Sequence, residues 1–199
     1  TALPAPTATT VSAAFNRLVS SISSKETLST ETLAKLAAEG ASDRWMRALV
    51  VTQINGREEP FLRALWPRLR DGRSGSVELL SLTARSFESP EKVLALIPEL
   101  GAAQVDLEAA LIAEIKVPSS HPMVVSVAAK ALDSIRDGTI PASSAKALIN
   151  LAARAERSLS VPVLTQVWLA PHPNEVRIAA FRALASLAPM IAAEHGVTK

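Results

Sequence analysis

An all-α fold, arranged as an α-α superhelix, is what this sequence predicts, and three observations predict it. Apolar residues make up 48% of the chain but aromatics only 4%, with no Tyr, so the apolar mass is Ala, Leu, Val and Ile. That balance favours closely packed helices over sheets, which draw on aromatic and β-branched residues. Apolar residues also recur at helical spacing along the chain, and no segment reads as a strand run closed by hairpin turns. Finally, the breaks between helices are short, which sets successive helices antiparallel and lets the pairs stack sideways into a curved solenoid or a double layer.

Taken in order, Val11, Phe15, Leu18, Val19 and Ile22 share one face of a first helix. A second runs from Glu31 to Glu39, with Thr30 placed to cap it and Gly40 to end it. Ser42 caps a third that carries Trp45, Met46, Leu49, Val50 and Ile54 and stops at Asn55-Gly56. The fourth, 58–70, holds Phe61, Leu62, Leu65, Trp66 and Leu69; Pro60 fits its first turn, whereas Pro67 falls where a hydrogen bond must be lost. Ser74 or Ser76 opens a fifth through Phe87, and Ser89-Pro90-Glu91 starts a sixth that Gly101 closes. Further helices are expected over 104–116, 121–136, 141–154, 160–169 and 172–187. Residues 1–10 are read as a flexible lead, 11–189 as one helical repeat domain and 190–199 as a frayed tail.

At 199 residues the chain can bury a sizeable core. Its formal charge of +2 is close to balance, and the densest basic cluster, Arg57, Arg63, Arg68, Arg70 and Arg73, is interleaved with Glu58, Glu59 and Asp71. It reads as a solvated helix face and not as a phosphate stripe, so no nucleic acid partner is expected. With no Cys, disulfides, zinc fingers and thiol catalysis are excluded. No apolar run reaches the roughly 20 residues that span a bilayer. The start TALPAPTATT lacks Met and the regions of a signal peptide, so the chain is read as a piece of a longer polypeptide.

One internal echo stands out. His121-Pro122 and His172-Pro173, 51 residues apart, both lead into Val and paired Ala, with Val127 facing Ile178, and the match then slips by one residue at Lys130-Ala131-Leu132 against Arg182-Ala183-Leu184. The pattern Pro-x-x-Val-Arg-x-Ala-Ala-x-x-Ala-Leu at 173–184 resembles the second helix of HEAT-type repeats. Its chemistry is packing, and the two histidines are read as helix-start devices and not as metal ligands or bases. Elsewhere, Gly72-Arg73-Ser74-Gly75-Ser76 fails the nucleophile-elbow pattern at its last position, and Glu58-Glu59 diverge on a helix. His195 beside Glu194 lies close to the chain end. No catalytic, cofactor or metal site is expected, nor an enzyme.

Two segments carry a more specific resemblance. Asp43-Arg44-Trp45-Met46-Arg47-Ala48-Leu49 followed by Glu59-Pro60-Phe61-Leu62-Arg63-Ala64-Leu65, and Val161-Pro162-Val163-Leu164-Thr165-Gln166-Val167-Trp168 leading to Glu175-Val176-Arg177-Ile178-Ala179-Ala180-Phe181, resemble the helical domain of large lipid transfer proteins. That family includes vitellogenin, microsomal triglyceride transfer protein, apolipoprotein B and apolipophorin. The resemblance implies a secreted lipid-transport or yolk-storage lipoprotein, with this chain as a non-catalytic support for a lipid cavity built by other domains. It makes those domains the partners and lipid an indirect one. Without it, a cytoplasmic HEAT-type interaction scaffold is the alternative. Trp45, Trp66 and Phe61 are expected in the core, and Trp168, beside a Pro-bounded loop, is the candidate for an exposed partner contact.

Overall fold

The computed structural model describes residues 8–24, 26–69, 75–100, 105–138 and 144–196, and every regular element among them is a helix. The chain divides into two compact units, with the boundary between Leu107 and Glu108.

The first unit holds α1 (Ala8–Ser23), α2 (Thr30–Glu39), α3 (Arg44–Gln53), α4 (Glu58–Leu69), α5 (Ser76–Ser86) and α6 (Pro90–Leu96), which tightens into a 3₁₀ turn at Ile97–Leu100. Helix α4 is its centre: α2, α5, α6 and the 3₁₀ turn all pack on it, while α3 packs on α5. The helix is buried along Phe61, Leu62, Leu65, Trp66 and Leu69. Pro67 sits in its exposed last turn, so the carbonyl that loses its partner is that of Arg63, on the solvent side.

Caps set the helix registers, and twice the capping residue is one position from the expected one. Ser29, not Thr30, caps α2, its Oγ accepting from the Thr32 N–H at 3.2 Å. Asp43, not Ser42, caps α3, with Oδ1 accepting from the Trp45 and Met46 N–H groups at 2.7 and 3.1 Å. An anionic acceptor at that end also complements the helix dipole. This start turns Met46, Val50 and Ile54 into the core and turns Trp45 outward at 61% exposure, correcting its placement as a core residue. Trp66 and Phe61 are buried as expected. At the start of α5, Gly75 takes φ +82°, and a Cβ there would stand 1.9 Å from the Ala41 carbonyl oxygen. Only glycine fits that close approach.

The second unit takes up the chain within α7 (Val105–Ala113) and continues with α8 (Pro122–Arg136), α9 (Ala145–Ala152), α10 (Arg157–Leu169), α11 (Asn174–Leu187) and α12 (Pro189–Gly196). Helices α8 and α9 pack as one pair and α10 and α11 as another, with α8 against α10 and α9 against α11. Helix α10 begins earlier than the sequence suggested, so Pro162 is interior and its face exposed. Helix α12 occupies the segment read as a frayed tail, and its Ala192 is buried.

The echo resolves differently from its letters. At the 51-residue offset, Val125 (53% exposed) faces Val176 (1%), and Val127 (1%) faces Ile178 (46%), so identical letters occupy opposite environments. One residue further on, the buried sets coincide: Val124 with Val176, Ala128 with Ala180, Ala131 with Ala183 and Leu132 with Leu184. In that register the two N-caps, His121 and Pro173, also coincide. Burial follows the helix start, and the His-Pro letters are offset from it by one.

Candidate functional site

Arginines organise the ends of several helices. A helix leaves its last four carbonyls without intrahelical donors, and α3, α7 and α10 have no basic residue in their last turns. In each case an arginine from a later segment supplies the donors. Arg57 donates to Gln53 O at 2.5 Å and to Leu28 O at 2.7 Å. Arg154 donates to Ile112 O at 3.1 Å and also to Val117 O. Arg177 Nε donates to Trp168 O at 3.1 Å. Burial pushes the Arg154 guanidinium below its ordinary value. Hydrogen bonds to Glu99 and then Glu59 raise that of Arg63, which bridges them at 2.6 and 3.1 Å. Arg57 is thus engaged by backbone carbonyls, whereas Arg63 and Arg68 are exposed, in keeping with a solvated helix face; Arg70 and Arg73 lie outside the described residues.

Trp168 stands in the Arg177 arrangement. Its ring lies 4.8 Å from that of Phe181 and 5.0 Å from the Arg177 guanidinium, and the residue is half-buried. The stack ties α10 to α11. The outward tryptophan is Trp45, whose ring carries the Arg44 guanidinium at 4.6 Å. Sequence spacing could not separate Trp45 from Met46, since both begin plausible apolar stripes; the Asp43 cap decides.

The histidines part company. His121 caps α8, its Nδ1 accepting from the Met123 N–H at 3.2 Å. His172 caps nothing: Pro173 holds the N-cap position of α11, and no side chain caps that end. Of the elbow-like segment, 72–74 lie outside the described residues, and Ser76 is buried in the first turn of α5. Glu58 accepts from the Gly56 N–H at 2.8 Å while Glu59 turns to Arg63, so the two carboxylates diverge. The side chain of His195 lies outside the described residues. Among the described residues no group of three or more His, Asp or Glu is placed to hold a metal, and no helix is long and apolar enough to cross a membrane.

A cleft of about 310 Å³ lies between α9 and α11. Ala145, Lys146 and Asn150 line it from α9, and Glu175, Ile178, Ala179 and Arg182 from α11. The α11 residues recur at i, i+3, i+4 and i+7, one face of a helix whose opposite face carries the buried Val176, Ala180, Ala183 and Leu184. Sequence reading missed this face because Ile178 was counted with the core pattern. The signal that finds it is the one-residue slip in the echo, which puts Ile178 outside the buried register. No family model matches this chain, and no curated protein and no solved structure matches it.

Proposed function

We propose that this chain is a non-catalytic helical scaffold that presents helix faces to other polypeptides. The observation that carries this reading is the packing of helices on those two places along the chain. It recurs in both units, as α2 on α4, α3 on α5 and α4 on α6, then as α8 on α10 and α9 on α11. Stacks of this kind bury one side of each helix on its neighbours and leave continuous outer faces for binding. The test is selection of a random displayed peptide library on the immobilised 199-residue chain. A scaffold enriches peptides with a shared motif that compete with one another; absence of any enriched motif contradicts the reading.

A second reading makes those polypeptides the neighbouring domains of a large lipid-transport lipoprotein. It rests on the resemblance of the Arg44-Trp45 and Val161–Phe181 segments, and the exposure of Trp45 favours it, because an outward indole on such a helix is a surface that a neighbouring domain would cover. Lipid extraction of the protein purified with its natural partners tests it. Co-purifying phospholipid or neutral lipid supports the reading, and lipid-free material contradicts it.

A further inference from the structure

The α9–α11 cleft pairs an apolar floor with cations that lack counter-ions. Ile178, nearly half exposed, and Ala179 form the floor, with Lys146 on one wall and Arg182 on the other. Among the described residues no carboxylate lies within ion-pair distance of Lys146 or Arg182, in contrast to Arg63, which has two, and to Lys92, Lys130 and Arg136, which have one each. The one carboxylate in the lining, Glu175, belongs to the first turn of α11. It stands in the lining against Lys146 and Arg182, so cations outnumber carboxylates there. What is left over is a positive, partly apolar strip with the Asn150 amide beside it.

We infer that this cleft binds an acidic, apolar-containing segment of a partner polypeptide: carboxylates against Lys146 and Arg182, and an aliphatic side chain over Ile178 and Ala179. The charge excess selects the carboxylates. The exposed isoleucine selects an occupant with an apolar side chain over a bare polyanion such as nucleic acid. This inference rests on the scaffold reading and goes further by naming the face and the chemistry of its partner. Such a contact is steered by charge and weakens with salt.

The experiment titrates the full chain with a fluorescent acetyl-Glu-Ile-Glu-Ile-Glu-amide peptide, measured by anisotropy. The lysine counterpart and a thymidine oligomer serve as comparison probes. Binding is expected for the glutamate peptide only, about tenfold weaker in the K146E/R182E double variant and about fivefold weaker in Ile178→Ser. Both variants should keep the helical circular-dichroism spectrum and melting midpoint, since all three positions are exposed. Glutamate-peptide binding that both variants leave unchanged overturns the cleft assignment while leaving the scaffold reading standing. So does a library selection that enriches a different motif while this peptide fails to bind. Equal binding of the thymidine oligomer overturns the apolar part of the recognition and with it the proposal.

Discussion

At the scale of single residues, much of this protein is decided by which atom meets a helix end. His121 and His172 stand before prolines in matching letters, yet only His121 accepts a backbone N–H. His121→Ala should therefore cost about 1 kcal/mol in a denaturant titration, the usual loss of a cap, while His172→Ala should stay within about 0.5 kcal/mol, the usual range for a surface change away from such features. Equal losses would place both side chains in the same role. The arginine caps are a stronger case. Arg154 satisfies two carbonyls at the end of α7 and in the loop beyond it, from a position 42 residues away in sequence for Ile112. Arg154→Met keeps much of the aliphatic stem and removes those donors, and should destabilise by roughly 2 kcal/mol. A loss confined to a few tenths would mean that water takes over the carbonyls.

At the scale of elements, helix existence was legible because the 3.6-residue period and the capping and breaking residues agreed, from Ser89-Pro90-Glu91 at α6 to Gly40 at the end of α2. Register was less legible, because it depends on which of two adjacent polar residues engages the N–H groups. Choosing Asp43 over Ser42 settles which way Trp45 points. The candidate face between α9 and α11 was hidden for a related reason. A letter match aligned His with His, whereas burial aligns cap with cap, and the difference of one residue rotates a helix by about 100°. The two valines matched by letter test that rotation. Val176→Asp puts an unpaired charge in the core and should cost at least about 3 kcal/mol, whereas Val125→Asp, on the exposed face of α8, should change stability by less than about 0.5 kcal/mol. Similar losses at both sites would restore the letter-matched register. The helix expected at 160–169 extends back to Arg157 as α10, with Pro162 in its interior, because an exposed face tolerates the missing donor.

At the scale of the whole molecule, composition and short connections established an all-helical chain, and the structure shows it divided into two units. That division was not legible, because the boundary falls inside a helix, α7, and not in a linker rich in Pro, Gly or Ser. Each unit packs helices two places apart, which leaves outward faces such as the one lined by Lys146, Ile178 and Arg182. Function on this account resides in those faces. Hydrogen exchange on the full chain, with and without the Glu-Ile-Glu-Ile-Glu peptide, tests it most directly. The account predicts peptide-induced slowing confined to the segments 145–152 and 174–187, with the first unit unchanged. Slowing that falls on α3 around Trp45, or that spreads evenly over both units, would contradict it.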